Sequence, residues 1–533
     1  MAPPPEPGRP VAPSSRFASA GASRVRLPVV TKTTAVVLLG ALPLFLSVMW
    51  LSCRPVWSSV LRHGGGLLLS GAVVGADAVD LGWYPPARSW INNLTAVIND
   101  EGVRGFVFNS SETPVDIYGT YNWCNMPHVR DTEYIKPDDK YQLVYVELIH
   151  RHHKRTPYQD NSFPVEPYAW DCDDVQQYHH STPVPVKDNQ TASPAYWKPS
   201  PHLPNPFTPS GWRGTCSFPQ ITGPGLLDSW QHGTDLYAIY HTLHGLLPSR
   251  SSPAWRSVTA YHVTNNPITT QVISSILHGT WRTTIPVPLL IQPPQTDPLE
   301  PRYLCPAASR LRTALESSPL WKSHLTAASP LFTTLDSLSG VPPSDTSFHV
   351  SIDHYYDNLS ARECHSKPLP CLLGSDPAKC ITRDLADAAY RLGQWEYDYL
   401  YRSAGPETLA FAVASFGVWI AQLAGNLRAM VEGRGREVVY RHHVAHDGSL
   451  SRLLGILQAE EMVWPGMGAE VVFELYREGE RGEYYVRLLF GGRVLKSSNP
   501  SLGRMEMLRV EVLLGYFEGL AGVDGVLVVG KCK

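Results

Sequence analysis

The chain has 533 residues, with 45 lysines and arginines against 48 acidic residues and a formal net charge of −3. This near balance argues against a nucleic-acid-binding protein, because such domains usually carry a strong basic excess. Hydrophobic residues make up 43% of the chain and charged residues 17%, a composition that excludes wholesale disorder. The 47 prolines and 41 glycines indicate a loop-rich globular protein.

The first predicted element is a membrane segment. Residues 1–33 form a Pro- and Arg-rich tail, and no charged residue lies between Lys32 and Arg54. The apolar run within 34–53 is long enough to span a bilayer, and the basic flank before it predicts a type II single-pass protein with a cytosolic tail. A cleaved signal peptide, and hence secretion, is the alternative, because Ala76-Asp77-Ala78 resembles a small-residue cleavage site.

Cysteines and sequons also indicate a luminal or extracellular location. Apart from Cys53 at the membrane edge, eight cysteines predict up to four disulfide bonds, whose pairing stays open. These are Cys124, Cys172, Cys216, Cys305, Cys364, Cys371, Cys380 and Cys532. We expect Cys364, Cys371 and Cys380 to cross-link one loop region. Four sequons predict glycosylation at Asn93, Asn109, Asn189 and Asn358.

The remainder of the chain is predicted to be a linker followed by one large domain. Residues 54–80 are assigned to the linker and 81–533 to the folded domain. A second uncharged stretch, Thr408–Leu427, contains glycine, glutamine and asparagine. It is therefore interpreted as a buried core helix rather than a second membrane span.

The sharpest local pattern begins with a strand. Tyr141–Ile149 is rich in Val, Tyr and Leu and predicts a buried strand, which stops at a cluster of cations before Pro157. Ligands bind at the carboxyl ends of strands in open α/β sheets. Arg151 and Arg155 offer forked donors to a phosphate or carboxylate. His152, between these two cations, is expected to have a lowered pKa that keeps it neutral and nucleophilic.

A second pattern of the same kind follows later in the chain. Glu437–Tyr440 continues into a His-rich segment that ends at His446 and Asp447, and leucines at helical spacing follow. Asp447 lies at a strand-to-helix transition, so a simple helix-capping role is an alternative to a chemical one. A cap alone does not explain why a histidine precedes it at the same sort of strand end.

The many histidines raise the question of a metal site. The candidates are His150, His152, His153, His442, His443 and His446. They lie among arginines, which repel a cation, and none is placed at i, i+4 on a helix. The prediction is therefore that the protein uses no metal and no other cofactor.

Taken together, the two motifs resemble a known family. Arg151-His152-x-x-Arg155-x-Pro157 and the later His446-Asp447 are similar to the two signatures of histidine acid phosphatases, the acid phosphatase and phytase branch of the histidine phosphatase superfamily. The segments 121–128 and 464–476 add further similarity. The double-histidine form of the first motif resembles a fungal membrane-anchored subgroup.

This resemblance implies a fold and a reaction. The fold would be a parallel α/β sandwich with a mostly helical cap inserted at about 165–430. The reaction would be hydrolysis of a phosphomonoester substrate through a phosphohistidine at His152. Arg151, Arg155 and His446 would hold the phosphoryl group, and Asp447 would protonate the leaving alkoxide. An acidic optimum would follow if Asp447 must start protonated.

Two departures from the family pattern bear on activity. His153 replaces a common glycine, and the family's additional phosphate-binding arginine is lost in a segment where His262 and Ile268 stand at the arginine positions. Loss of one such donor typically costs about 2.7–4 kcal/mol of transition-state stabilisation. His153 and His262, when protonated, are the predicted replacement donors, which would confine activity to acidic pH.

The departures leave a second functional hypothesis open. A weakened or inactive phosphatase-like protein would keep the pocket only to bind phosphate. A phosphate-transferring mutase is more distant, because an anchored, disulfide-rich chain suits cytosolic sugar-phosphate metabolism poorly. The natural substrate and the oligomeric state are not determined by the sequence.

Overall fold

The computed structural model describes residues 79–103, 123–166, 168–178, 195–200, 213–217, 219–372, 379–479 and 482–532. The predicted tail, the membrane segment, most of the linker, Asn109 and Asn189 lie outside the described residues. The predicted domain boundaries therefore stay predictions.

The described residues form a mixed seven-stranded sheet and a separate two-stranded sheet. The strands are β1 (Tyr141–Arg151), β2 (Gln177–Tyr178), β3 (Tyr196–Trp197), β4 (Thr259–Val263), β5 (Tyr440–Ala445), β6 (Glu470–Glu478), β7 (Glu483–Phe490), β8 (Arg493–Val494) and β9 (Leu508–Arg509). The main sheet has the order β4-β5-β1-β6-β7-β8, with β9 also paired to β7, while β2 and β3 pair with each other.

Helices surround this sheet and make up most of the segment between β4 and β5. They are α1 (Leu94–Asn99), α2 (Gly223–Tyr237), α3 (Trp255–Val258), α4 (Pro267–Trp281), α5 (Pro306–Glu316), α6 (Pro319–Ser339), α7 (Thr346–His349), α8 (Asp353–Cys364), α9 (Arg383–Asp398), α10 (Pro406–Val431), α11 (Asp447–Ile456), α12 (Val510–Ala521) and α13 (Val526–Cys532). Wider π-helical turns continue α2 and α9, at Ala238–Leu243 and Tyr399–Ser403.

The sheet is only partly parallel, which corrects the prediction of a parallel core. β4, β5 and β1 run parallel, whereas β6 to β9 pair antiparallel. The physical reason is the short connection after β6. Gly479 and Gly482, both with positive φ, lie between the end of β6 at Glu478 and the start of β7 at Glu483, and so short a connection joins only antiparallel neighbours.

Strand β1 lies at the centre of the sheet because both of its faces are apolar and buried. Tyr145 and Ile149 face one core cluster, which includes α10 and α12, while Val146 and Leu148 face another that includes α2 and α4. The α/β architecture predicted from the sequence is present, although the sheet is not wholly parallel. β4 lies within the stretch predicted as the cap, so that insertion also contributes a strand to the central sheet.

Among the described residues, two apolar stretches are long and apolar enough to span a membrane, α10 and the Val510–Cys532 region. In α10, 72% of the apolar window is buried within the protein. This agrees with the prediction of a core helix over Thr408–Leu427. The Val510–Cys532 stretch is interrupted at Asp524, whose φ is 54°.

The eight cysteines after Cys53 form four disulfide bonds, as predicted. The pairs are Cys124–Cys364, Cys172–Cys216, Cys305–Cys532 and Cys371–Cys380. Only Cys371 and Cys380 close a local loop. Cys364 instead reaches the segment before β1, so the expectation that these three cysteines cross-link one region is only partly correct.

The predicted glycosylation at Asn358 is contradicted by its surroundings. Its side chain is 0% exposed. The amide nitrogen donates to the Asn161 carbonyl oxygen at 2.8 Å and to Glu166 at 3.3 Å, and the amide oxygen accepts from Arg362 at 2.9 Å. The folded core has no room for a glycan there. Asn93, in contrast, is exposed at the start of α1.

Candidate active site

The two sequence motifs meet because β1 and β5 are parallel neighbours. Arg151 at the end of β1 pairs with Ala445 at the end of β5. The His152 N–H donates to the Ala445 carbonyl oxygen at 3.1 Å, and His446 follows directly. Carboxyl ends of parallel strands share one edge of the sheet, so the register alone brings His152 beside His446. Their ring centroids are 5.6 Å apart.

The hydrogen bonds of His152 determine which of its ring nitrogens is unprotonated. Its Nδ1 lies 3.0 Å from the His153 carbonyl oxygen, which can only accept, so Nδ1 carries the proton. The lone pair of Nε2 then faces the Arg155 guanidinium, whose Nε is 3.4 Å away. Burial, together with Arg155 and Arg151, holds the pKa of His152 well below its usual range. The direction agrees with the sequence prediction, although burial contributes more than the arginines.

Both arginines are buried and tethered. Arg155 forms an ion pair with Asp357 at 3.0 Å, donates to the Thr156 carbonyl oxygen at 2.8 Å and lies over the Tyr158 ring. Arg151 donates to the Pro465 carbonyl oxygen at 2.7 Å and pairs with Asp447 at 3.0 Å. The Nε of Arg151 is buried and has no hydrogen-bond partner among the described residues. These fixed guanidinium groups are suited to an anion with several oxygens.

Thr264, which follows β4, positions His446. The Nε2 of His446 lies 3.0 Å from Thr264 Oγ1, which in turn lies 3.1 Å from Thr269 Oγ1. Burial lowers the pKa of His446 to about 4. His446 is therefore a neutral hydrogen-bonding group, held at the N-terminus of α11.

Asp447 is the first residue of α11, not its cap, because His446 occupies the N-cap position. One carboxylate oxygen accepts from the Trp464 indole N–H at 2.8 Å and also faces Arg151. Burial disfavours the charged form, but Arg151 and the Trp464 hydrogen bond outweigh it and hold the pKa of Asp447 below its usual value. The side chain is 23% exposed, compared with 6% for Arg151.

An aromatic wall stands beside Asp447. Trp464 is stacked between Tyr356 and Tyr397, with ring centroids 4.0 and 3.9 Å away. Tyr397 also donates to Asp447 at 3.4 Å. A small cavity next to Arg151 is bordered by Trp123, Tyr356 and Trp464. The site thus places the two guanidinium groups of Arg151 and Arg155 next to an aromatic surface.

A further carboxylate lies near this wall. Burial, followed by repulsion from Asp447 and Asp357, raises the pKa of Asp353 to about 7. Asp353 begins α8, the helix that also carries Asp357, the partner of Arg155. The surroundings of the arginines are therefore more acidic than the sequence motifs suggest.

The structure brings together Arg151, His152, Arg155, His446 and Asp447, but not the predicted replacement donors. His153 is 0% exposed and packs against His150 and His232, with ring centroids 5.5 and 5.3 Å away. Burial holds its pKa well below its usual range. His262 is stacked on His443, and burial lowers its pKa to about 3. Burial favours the neutral form of both imidazoles, which argues against their predicted role as protonated donors in place of the lost arginine.

Several site residues were missed by sequence reasoning. Thr264 lies within the segment compared with the lost arginine, and Trp464 opens the flanking similarity at 464–476. Both residues lie in segments whose similarity was noted, but neither was assigned a function from the sequence. Asp357 and Tyr397 come from helices distant in sequence, and no local pattern marked them.

The chain is similar to histidine acid phosphatases. One relative is 2-phosphoxylose phosphatase 1 from Homo sapiens, which is 25% identical over 403 residues; the alignment covers 72% of this chain and 78% of the relative. Another is 2-phosphoxylose phosphatase 1 from Rattus norvegicus, which is 25% identical over 398 residues; the alignment covers 70% of this chain and 76% of the relative. No family model matches the chain.

Solved structures of phytases also align with most of the chain. The apo form of Hafnia alvei phytase is 14% identical and covers 72% of this chain and 98% of its own, with a TM-score of 0.45. The phytase from D. castellii is 14% identical and covers 81% and 94%, with a TM-score of 0.46.

Proposed function

We propose that the protein hydrolyses phosphomonoesters through a phosphohistidine at His152, with Asp447 as the proton donor. The observation that carries this proposal is the placement of His152 Nε2 against Arg155, beside the Arg151–Asp447 pair. A phosphoryl group bound by both guanidinium groups would lie in front of that lone pair. Such fixed donors stabilise the charge that develops on the phosphoryl oxygens.

The reaction balances with these groups alone. Nε2 of His152 attacks phosphorus as the ester P–O bond breaks, and Asp447 gives its proton to the departing oxygen. A water molecule then attacks the phosphohistidine, Asp447 takes a proton from it, and the P–N bond breaks. The products are an alcohol and inorganic phosphate, and His152 and protonated Asp447 are regenerated.

The phosphoryl group also accounts for how Asp447 becomes protonated. In the free site Arg151 pairs with Asp447 and favours its ionised form. A bound phosphate engages Arg151 instead and brings negative charge close to Asp447. Both changes raise the pKa of Asp447, so substrate binding itself prepares the acid.

For the substrate we propose a phosphorylated sugar, in line with the similarity to 2-phosphoxylose phosphatase 1. Two features of the site support this choice. The stacked Tyr356, Trp464 and Tyr397 offer a flat apolar surface beside Asp447, against which a sugar ring can pack. Asp353, near the same wall, adds a carboxyl group that can hydrogen-bond a sugar hydroxyl. We place this activity in an oxidising luminal or extracellular compartment, as the disulfide bonds favour.

The alternative is a phosphate-binding protein without turnover. It is favoured by one observation, the buried apolar Ile268 at the position of the additional arginine. The two proposals differ in whether His152 forms a covalent intermediate.

The test compares full-length wild type with Asp447→Asn, His152→Ala and the control His278→Ala, whose imidazole is exposed on α4. Asp447→Asn is expected to slow turnover by about 10²–10⁴ with alkyl phosphates, and much less with aryl phosphates, which need no proton donor. It should also accumulate a phosphorylated chain that is absent in His152→Ala. Turnover by His152→Ala at the wild-type rate, or none by wild type on any aryl or sugar phosphate, would overturn the proposal.

A further inference from the structure

A cluster of buried imidazoles lies next to the loop that follows β1, on the side of the sheet that faces α2. His150, His153 and His232 are each 0% exposed. Each offers a ring nitrogen, and the three nitrogens lie within 4.8 Å of one another. His128 stacks on His232, and His442 contacts His150, so five rings share this region.

Hydrogen bonds determine which ring nitrogen of His150 and of His232 carries a lone pair. Nδ1 of His150 lies 2.8 Å from the Arg151 carbonyl oxygen, so this nitrogen donates and Nε2 keeps the lone pair. His232 Nε2 lies 3.0 Å from the Glu470 carboxylate, which makes Nε2 the donor and leaves a lone pair on Nδ1. A carbonyl or carboxylate behind the outer nitrogen is the usual environment of a metal-bound histidine.

The spacing also fits a metal. Two nitrogens bound to tetrahedral zinc at ~2.0–2.1 Å lie ~3.3 Å apart. His232 Nδ1 and His153 Nε2 are separated by 3.3 Å. His153 Nδ1, its other ring nitrogen, is buried and has no hydrogen-bond partner among the described residues.

Charge balance points the same way. Glu470 is 0% exposed, and among the described residues its carboxylate bonds to the Val129 N–H and to His232, neither of which carries a fixed positive charge. Asp235 adds a second carboxylate at His128. Burial raises the pKa of Glu470, and a divalent cation beside the imidazoles would stabilise its ionised form.

The arginines that would repel a cation point away from this cluster. Arg151 and Arg155 turn toward Asp447 and Asp357, on the substrate side of the loop. The third ligand, His232, comes from α2 and was not among the histidines weighed from the sequence. It is brought close by α2–α4 packing, where a Cβ on Gly233 would lie 2.3 Å from the Ile276 carbonyl oxygen.

We propose that His150, His153 and His232 bind one divalent transition-metal ion, zinc fitting best, with Glu470 orienting His232. The Nε2 of His442 lies 2.8 Å from that of His150. When the metal binds, His442 either supplies a fourth nitrogen or loses its hydrogen bond to His150. The ion is structural. It fixes His153, whose carbonyl oxygen sets the tautomer of His152, and so braces the nucleophile without touching substrate.

The test measures metal content rather than activity. Full-length protein is produced with zinc, dialysed against metal-free buffer and assayed by mass spectrometry, alone and after cobalt replacement. We expect about one equivalent per chain, tetrahedral cobalt absorption, and loss of both in His232→Phe but not in the exposed control His278→Phe.

Each other outcome counts against the site. Wild type that retains less than about a tenth of an equivalent would overturn the proposal and leave a hydrogen-bonded imidazole network in its place. Metal retained equally by wild type and folded His232→Phe would locate the ion elsewhere, which also overturns it. If His232→Phe fails to fold, the wild-type content and the histidine-ligated cobalt spectrum decide the question.

Discussion

At the scale of single residues, Asp447 has two competing environments. In the free site it is held by Arg151 and by the Trp464 indole N–H, and both favour its anion. The proposed reaction instead needs its acid form. Substrate therefore has to displace the interactions that ionise it, which links binding to proton donation.

Trp464→Phe tests this link. Phenylalanine keeps an aromatic ring between Tyr356 and Tyr397 but removes the N–H that stabilises the Asp447 anion. The pKa of Asp447 should rise, so a larger fraction is protonated at a given pH, and the alkaline limb of kcat/KM should move to higher pH. The measurement is a pH–rate profile with an alkyl phosphate.

Trp123→Phe, a change in the same cavity without a bond to Asp447, serves as the matched control. Its profile should keep the wild-type limb even if KM changes. An unshifted limb in Trp464→Phe would mean that Asp447 does not govern the alkaline limb, and the proton-donor role would lose its support.

The residue scale also shows what the sequence could and could not reveal. The lowered pKa of His152 was predictable, because two cations flank it in the chain. The fate of His153 was not. Strict alternation would place His153 with Arg151, but β1 ends at Arg151, and His153 instead turns toward His150 in the histidine cluster while His152 lies with the arginines. Which side holds substrate depends on α2, about 80 residues away in sequence, since His153 and His232 are 79 positions apart.

At the scale of elements, β1, β5 and α11 were predictable because their apolar patterns and flanking motifs are local. The antiparallel half of the sheet was not assigned, although the short Gly-rich turn at 479–482 signals a hairpin. The aromatic wall was also missed, since Tyr356, Tyr397 and Trp464 come from separate segments that only tertiary packing unites. Long-range contacts of this kind leave no periodic pattern in the chain.

Helix α4 carries the position where the family arginine is lost. Ile268 lies in its first turn, is 0% exposed and belongs to the apolar cluster beneath the sheet. Burial lowers the pKa of His446, and the positive charges of Arg151, Arg155 and, least, Arg302 act in the same direction. Ile268 itself packs as an apolar core residue.

Ile268→Arg is therefore expected to destabilise the protein without raising kcat/KM. A guanidinium buried in an apolar cluster without a partner costs several kcal/mol, whereas the control Ile268→Val should cost only about 0.5–1.5 kcal/mol. Thermal unfolding and kinetics on the same samples make the comparison. A stable Ile268→Arg variant with higher kcat/KM would show that the position still reaches the phosphate.

At the scale of the whole molecule, compartment and folding are connected. Cys305–Cys532 and Cys124–Cys364 close loops of 227 and 240 residues. Such cross-links persist in oxidising compartments and are rare in the cytosol. They agree with the predicted crossing of the membrane before residue 54, a segment that lies outside the described residues.

Glycosylation provides a test of this topology at two sequons of opposite exposure. Asn93 is exposed, and Thr95→Ala removes its sequon without touching the asparagine. Asn358 is buried in a hydrogen-bonded network, and Ser360→Ala removes its sequon in the same way. If the domain is luminal, glycosidase should increase the mobility of the folded wild-type protein. Thr95→Ala should lose one step of that shift, because a glycan at an exposed helix start is compatible with the fold.

Ser360→Ala should behave like wild type in the same gel, since a glycan on Asn358 would displace Glu166 and Arg362 from their partners. A step lost in folded Ser360→Ala would mean that the packing around Asn358 is wrong. No glycosidase shift in any variant, combined with protease access to the domain from the cytosolic side, would contradict the luminal topology. The disulfide bonds would then have to form in a reducing compartment, where glutathione keeps thiols reduced.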